Sequence, residues 1–320
     1  DRVEPMGSGF GGGGFWLLHR EADGLQVMLD GREAAPAAAT STMYLDEQGN
    51  VIKGLSLNGA LAAAIPGMPA ALSHLASRYG RLPLRESLKP AIRAAEQGFA
   101  VYPRYNKLLE FRKPHLNAEA RRIFLAPGGD LPALGPVIRQ PELASTLRRL
   151  AIAGRDGFYR GETAKLLLAA VRDANGIWTQ QDLDNYRVIE RKPVTGNYRG
   201  ARIVSSSLPS SGGIALVTML NILSGYDLDA MPAVQRKQKI IEAMRMAYKD
   251  RADFLGDADY VPVDQEYLLS MEHADKLRSL ISDRATPSDF IADEHYPKGE
   301  DTTHFSVIDP EGNRVSATLS

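Results

Sequence analysis

The sequence contains no cysteine in its 320 residues. Disulfide bonds and metal sites built on thiolates are both excluded, because each needs cysteine sulfur. This absence is compatible with an oxidising compartment but does not by itself place the protein in one.

The sequence also has almost no net charge and no long hydrophobic run. The 38 Lys and Arg residues nearly balance the 39 Asp and Glu residues, which gives a formal net charge of −1. A general electrostatic nucleic-acid binder normally carries a basic excess, so we expect no nucleic-acid partner. No segment approaches the ~18 apolar residues of a transmembrane helix, so we expect no membrane span.

Patterns typical of metal, nucleotide and serine-hydrolase sites are missing too. The histidines are scattered, the aspartates at 257, 259 and 264 lack EF-hand spacing, and no G-x-S-x-G elbow occurs. A formal G-x-G-x-x-G occurs at Gly7, Gly9 and Gly12, but an apolar run follows it where a nucleotide fingerprint needs a helix. We therefore predict no metal and no cofactor. The glycines are interpreted as a tight turn that approaches a ligand or another strand.

The segments that are present predict a mixed fold, α/β or α+β. Proline at the start and glycine just after the end predict helices at residues 69–79 and 141–153, and further helices are predicted at 162–174, 214–223 and 233–254. Residues 84–97 have the same spacing but contain Pro90, which predicts two short helices or a kink. Apolar runs around an Asp-Gly loop predict a β-hairpin at 15–29, and residues 192–207 read as short strands.

The last twenty residues predict a second hairpin with a definite register. A three-residue loop at 310–312, with glycine last, places Phe305 opposite Ala317 and Val307 opposite Val315. A slip of one residue would mix polar and apolar side chains on each face. In this register Thr302 lies opposite Ser320, so two hydroxyl groups meet at the mouth of the hairpin.

Thr302 and Arg32 are the candidate functional residues. If the peptide bond before Thr302 were cut, its new α-amine could accept the proton of its own hydroxyl, which would activate that oxygen as a nucleophile. An ordinary strand threonine is the alternative interpretation. Arg32 follows a strand and could bind a carboxylate through two hydrogen bonds, or it could be a surface arginine in an ion pair.

Six segments together resemble the γ-glutamyltranspeptidase family, in order and in spacing. They are Gly11–Phe15, Arg32–Pro36, Ile65–Gly67, Pro209–Gly213, Leu255–Asp257 and Thr302–Val307. The resemblance covers essentially the whole chain. It implies an N-terminal-nucleophile hydrolase fold, which is a four-layer αββα sandwich.

The resemblance also implies self-cleavage between Asp301 and Thr302. Residues 1–301 would then be a large-subunit portion without its N-terminal part, and 302–320 would be the opening hairpin of the small subunit. The chain therefore reads as an excerpt of something larger.

The implied chemistry is γ-glutamyl transfer or hydrolysis, with glutathione as a donor and water, an amino acid or a dipeptide as acceptor. Thr302 is the matching nucleophile, and Arg32 matches the arginine that binds the donor's α-carboxylate. Ser320 stands where the family usually has a second threonine, which hydrogen-bonds the nucleophile. The implied oxyanion hole and lid lie beyond Ser320, in the complementary small subunit, so this chain alone is not expected to be a competent enzyme.

Two alternatives remain open at this point. The same machinery could serve another donor, such as a glutaryl β-lactam or a polyglutamate. The protein could instead be an unprocessed or inactive relative that acts as a binding protein. The resemblance points to a periplasmic or secreted location.

Overall fold

Helices and strands alternate along the chain in the computed structural model, which describes residues 7–287 and 302–320. Asp301, and with it the predicted cleavage bond, lies outside the described residues. The strands are β1 (Gly14–Arg20), β2 (Leu25–Gly31), β3 (Phe99–Ala100), β4 (Val137–Ile138), β5 (Ile189–Arg191), β6 (Val194–Tyr198), β7 (Ala201–Ser205), β8 (Thr303–Ile308) and β9 (Arg314–Leu319).

The helices account for most of the middle of the chain. They are α1 (Met68–Arg78), α2 (Leu84–Gln97), α3 (Pro103–Arg112), α4 (Ala118–Phe124), α5 (Pro141–Ala153), α6 (Asp156–Tyr159), α7 (Gly161–Asp173), α8 (Gln180–Asn185), α9 (Gly212–Ser224), α10 (Ala233–Phe254), α11 (Gln265–Leu268) and α12 (Met271–Ser279), with short 3-10 helices at Ala60–Ala62 and Lys113–His115. Among the described residues, every helix falls short of the length or the apolar character that a membrane crossing requires.

The main sheet has five antiparallel strands in the order β5-β2-β1-β9-β8. Both predicted hairpins are confirmed. In the C-terminal hairpin Phe305 lies opposite Ala317 and Val307 opposite Val315, which is the register that the alternation of polar and apolar residues favours. Strand β9 also pairs with β1, so the two ends of the described chain form the centre of one sheet.

One face of this sheet packs against helices. Trp16, Leu29 and Ala317 are buried on that face together with Met68 and Ala71 of α1. Helices α2, α5, α6 and α7 extend the helical layer around a second cluster that includes Leu147, Phe158 and Tyr159. Alternation along the strands turns the intervening side chains to the opposite face.

The opposite face of the sheet lies toward the β6–β7 hairpin. The backbone N–H of Ser207, just after β7, donates to the sulfur of Met28 in β2, and a cavity of about 320 Å³ is lined by Leu17 and Ser316 from the sheet and by Val204 from β7. Helix α9 packs on the far side of this hairpin, where Ile214 and Val217 contact Val194. The order helix, sheet, smaller sheet, helix agrees with the predicted layers.

Of the two alternatives predicted for residues 84–97, two short helices is wrong, because α2 is a single helix from Leu84 to Gln97 with Pro90 inside it, and a kink at the proline stays a prediction. Proline removes one helical hydrogen bond. Leu88 and Ala95 lie on either side of Pro90 and are buried in the cluster that α5 shares. Burial of this continuous apolar face on both sides of the proline offsets the lost bond.

Glycines allow three chain segments to meet beside the first strand. Gly67 and Met68 donate their backbone N–H groups to the carbonyl oxygen of Gly12, each at 3.0 Å. A Cβ atom at Gly12 would overlap the carbonyl group of Ser320, and one at Gly67 would overlap the carbonyl group of Gly31. The interpretation of the glycine run as a close approach to another strand is therefore confirmed.

Replacement of Gly12 by alanine should destabilise the full-length protein. Because the added methyl group would meet backbone rather than a flexible side chain, we expect Gly12→Ala to lower the free energy of unfolding by about 2 kcal/mol or more. Gly11→Ala is the matched control, since a Cβ there meets nothing within 4 Å. Urea denaturation of both variants checks this, and equal midpoints would contradict it.

Glu190 of β5 joins the main sheet to α1. Its Oε1 atom lies 2.7 Å from His74 Nε2 and accepts a hydrogen bond of 2.7 Å from the Tyr79 hydroxyl. The His74 contact is the largest cause that holds the pKa of Glu190 below its ordinary value. A carboxyl group with a lowered folded-state pKa stabilises the fold above its unfolded pKa, and this contribution is lost as pH falls through the folded value.

We therefore expect Glu190→Gln to cost about 1 kcal/mol of unfolding free energy near neutral pH, where the carboxylate is fully charged. The difference from wild type should shrink as pH falls below the ordinary glutamate range. Urea denaturation at several pH values measures both quantities. Glu47→Gln, an exposed change in a loop, serves as control, and a difference that is constant with pH would count against the assignment.

Candidate active site

Four strand ends meet at one edge of the main sheet. Gly14, at the start of β1, pairs with Gly31 at the end of β2 and with Leu319 at the end of β9. Leu319 in turn pairs with Thr303 at the start of β8. The residues that directly continue these strands, Arg32, Ser320 and Thr302, are therefore brought to the same edge from distant parts of the chain.

These residues also share one face of the sheet. Asp30, Phe15, Thr318 and His304 are consecutive cross-strand partners and form a row on the face away from α1. Side chains alternate between the two faces of a sheet, so residues two positions apart share a face. Arg32 comes two residues after Asp30, Ser320 two after Thr318, and Thr302 two before His304. All three therefore lie on this same face, in the next row. The structure thus brings together all the predicted site residues that it describes.

Ser320 is anchored by its backbone, and its hydroxyl contacts a residue that the sequence patterns did not single out. Its N–H donates to the Gly13 carbonyl at 3.0 Å, while its Oγ donates to Oε1 of Glu33 at 2.9 Å. The resemblance implied a bond between Ser320 and Thr302 instead. A serine hydroxyl has one hydrogen and two lone pairs, so donation to Glu33 leaves it able to accept a bond from Thr302.

Thr302 is exposed, and the neighbouring threonine is held by the N-terminal segment. The hydroxyl of Ser8, which is buried, donates to Thr303 Oγ1 at 3.4 Å. Next along the strand, His304 Nδ1 lies 2.8 Å from Thr318 Oγ1 across the hairpin. The start of β8 is therefore fixed on both sides while the Thr302 side chain stays accessible.

The Arg32 guanidinium is exposed and lies over the ring of Phe15, with Cζ 5.9 Å from the ring centroid. No carboxylate of the described residues forms an ion pair with it. The alternative interpretation, an arginine neutralised in a surface ion pair, therefore finds no support in the described part of the chain. An exposed arginine without an ion pair can offer the planar N–H donors of its guanidinium to a carboxylate.

The backbone of Arg32 is clamped from both sides. Its N–H donates to Oδ1 of Asp30 at 3.0 Å, and its carbonyl oxygen accepts a bond of 2.7 Å from the Tyr186 hydroxyl. The Tyr186 ring stacks on Tyr159, with centroids 5.6 Å apart and planes at 7°. Burial raises the pKa of Tyr186, so its hydroxyl remains a neutral donor.

Asp30 belongs to a chain of charged groups. Arg191 of β5 donates from Nε to Asp30 Oδ2 at 2.8 Å, and its two terminal nitrogens donate to both oxygens of Asp259 at 3.0 and 2.6 Å. The Arg191 hydrogen bonds hold the pKa of Asp259 below its usual value. Asp257 and Asp259 belong to the acidic loop that lacks EF-hand spacing. It is partly exposed, and it also holds this arginine.

Glu33, Asp30, Tyr186 and Arg191 are the site residues that sequence reasoning missed. Glu33 and Asp30 flank Arg32 in sequence, so adjacency was an available signal for them. Tyr186 and Arg191 are more than 150 residues away from Arg32 and carry no local pattern. Within the described residues, no three His, Asp or Glu side chains are arranged to hold a metal ion.

Known proteins of one family match the chain over almost its whole length. A profile of the family described as gamma-glutamyltranspeptidase matches residues 2–320. A glutathione hydrolase proenzyme of Pseudomonas sp. (strain A14) is 40% identical over 330 residues, which cover 99% of this chain and 56% of that protein. An acylase ACY 1 proenzyme of Pseudomonas sp. (strain V22) is 35% identical over 326 residues, covering 99% of this chain and 58% of the relative.

Solved structures give the same answer for the fold. The crystal structure of Helicobacter pylori gamma-glutamyltranspeptidase is 38% identical, has a TM-score of 0.88, and covers 94% of this chain and 88% of that one. This likeness confirms the predicted αββα fold class. The chain spans little more than half the length of the curated relatives that it matches. The match to the family profile and the identity to these relatives show that the chain belongs to the gamma-glutamyltranspeptidase family.

Proposed function

We propose that the full protein transfers or hydrolyses the γ-glutamyl group of glutathione and related compounds through an ester on Thr302. The observation that carries this proposal is the convergence of Thr302, Ser320 and Arg32 on one face at one edge of the sheet. Relatives named glutathione hydrolase proenzyme support the choice of substrate.

The nucleophile is made by self-cleavage between Asp301 and Thr302. The Thr302 hydroxyl oxygen attacks the preceding carbonyl carbon, the amide nitrogen leaves as a free α-amine, and water hydrolyses the resulting ester. Residues 1–301 then form the large-subunit portion and 302–320 open the small subunit. The ladder between β9 and β1 holds the two pieces together after the cut.

In turnover, Thr302 Oγ1 attacks the γ-carbonyl carbon of the donor while its proton passes to the threonine's own α-amine. The donor's C–N bond then breaks, and the α-ammonium returns the proton to the leaving amine. Water or an acceptor amine attacks the γ-glutamyl ester next. This second attack releases glutamate or a new γ-glutamyl amide and restores the threonine hydroxyl.

The separation between Arg32 and Thr302 suits a γ-glutamyl group. Their strands are three intervals apart in the order β2-β1-β9-β8, which is roughly 14 Å at the usual strand spacing. An extended arginine side chain covers part of that gap. The remaining space matches a donor whose α-carboxylate meets Arg32 while its γ-carbonyl reaches Thr302.

Glu33 and Ser320 complete the part of the site in this chain. Glu33 lies beside Arg32 and supplies a negative charge for the donor's α-ammonium. It also accepts a hydrogen bond from Ser320 Oγ, so the residue that binds the α-ammonium contacts the residue next to the nucleophile. Oxyanion donors and further substrate contacts come from the complementary small subunit of the same precursor. The location that fits this assignment is periplasmic or secreted.

Thr302→Ala in the full-length protein should abolish both self-cleavage and turnover of a γ-glutamyl anilide, because no other group supplies hydroxyl and amine together. A denaturing gel and an anilide assay measure the two effects. Thr302→Ser is the matched control and should retain cleavage and part of the activity. A wild-type protein that persists as a single band would instead support an unprocessed relative with a binding role.

Because one relative is named as an acylase, we also consider a glutaryl donor. A glutaryl group carries the same carboxylate as a γ-glutamyl group but lacks the α-ammonium, so Arg32 accommodates either donor and Glu33 discriminates between them. We expect wild type to prefer γ-glutamyl over glutaryl and polyglutamyl donors in kcat/KM. Glu33→Gln should reduce the γ-glutamyl to glutaryl ratio about ten-fold. A wild-type preference for the glutaryl donor would establish the acylase alternative.

A further inference from the structure

Asp30 is a buried carboxylate next to the substrate edge, with only about 6% of its surface exposed. One oxygen accepts the Arg32 backbone N–H, and the other accepts from Arg191. A buried charge is costly unless it is paired and hydrogen-bonded. Both requirements are met here, and one of the bonds ends on the backbone of the arginine that faces the donor.

The position of Arg191 follows from strand pairing. Arg191 lies opposite Met28 in the β2–β5 ladder, so Asp30 is its diagonal neighbour on the same face. Its side chain is 14% exposed, and Asp259 accepts two further bonds from its guanidinium. The loop after α10, strand β5 and the end of β2 are thereby joined by charge-assisted hydrogen bonds.

This pairing decides which cation Asp30 binds. Asp30 and Arg32 are two residues apart and share a face of the sheet, so an unneutralised Asp30 carboxylate would attract the Arg32 guanidinium. Arg191 occupies that carboxylate instead. Arg32 is consequently left without an internal ion pair among the described residues, and its backbone is fixed by the same aspartate.

We propose that Asp30 and Arg191 are positioning residues that hold Arg32 ready for the donor's carboxylate, a role that rests on the proposed function. Asp30 fixes the Arg32 backbone, and Arg191 neutralises Asp30 so that Arg32 remains available. The pair thus sets specificity for donors with a carboxylate at the α-position, without touching the substrate.

The test compares two anilide donors that differ only in that carboxylate, γ-glutamyl and 4-aminobutyryl, in the processed full-length enzyme. Asp30→Asn and Arg191→Met should raise KM for the γ-glutamyl donor about ten-fold with little change in kcat. Both should leave the 4-aminobutyryl donor nearly unaffected. Adding Asp30→Asn to Arg191→Met should recover part of the lost affinity, because it removes the unpaired charge.

A matched control separates positioning from stability. Asp250 of α10 is buried to a similar degree, about 5% exposed, and pairs with His273 of α12. Asp250→Asn should destabilise the fold without changing the ratio of the two donors. An equal ratio in wild type and in the Asp30 and Arg191 variants would overturn the proposal.

Calorimetric binding of free glutamate distinguishes this proposal from the proposed function. If wild type binds glutamate but does not cleave the γ-glutamyl donor, the proposed function is wrong. Weaker binding of glutamate by Asp30→Asn would in that case still support the positioning role of Asp30 and Arg191. If Asp30→Asn binds glutamate as tightly as wild type, the positioning role of Asp30 and Arg191 is wrong, whichever donor the enzyme cleaves. If wild type binds no glutamate, both proposals fall.

Discussion

Close contact between backbone segments at one edge of the main sheet determines where everything else in the site lies. The carbonyl oxygen of Gly12 receives two N–H groups from the start of α1, and Gly12 also lies against the carbonyl group of Ser320. Any side chain at this glycine would separate the segments. Glycine at position 12 is therefore a packing requirement, and the short distances it permits bring the candidate residues from β2, β9 and β8 to one edge.

The same arrangement accommodates a cut in the chain. Strand β9 is bonded to β1 on one side and to β8 on the other, so the ladder between β9 and β1 holds the hairpin 302–320 to the rest of the sheet without a covalent link. Cleavage before Thr302 would release a terminus without releasing the strand. A nucleophile that needs a free α-amine can in this way form at a position that the fold has already fixed.

Local patterns predicted the parts of this structure that local physics controls. Alternation of polar and apolar residues, together with the loop at 310–312, sufficed for the register of the C-terminal hairpin, and that register places Thr302 beside Ser320. The helix at 84–97 is not divided at Pro90, because burial of Leu88 and Ala95 outweighs the lost bond. Tyr186 and Arg191 could not be predicted, since they approach Arg32 only through tertiary packing and no local sequence pattern marks them. The roles of Thr302, Ser320 and Arg32 remain predictions of motif and position.

The Asp30–Arg191–Asp259 chain shows why such non-local residues matter. A buried ion pair adds little to stability compared with an apolar replacement, so stability alone does not account for two carboxylates around one arginine. What the arrangement does achieve is selectivity among cations, because Arg191 occupies the carboxylate that Arg32 would otherwise bind. An exposed arginine two residues from a buried aspartate stays available to a substrate only when another cation satisfies that aspartate first.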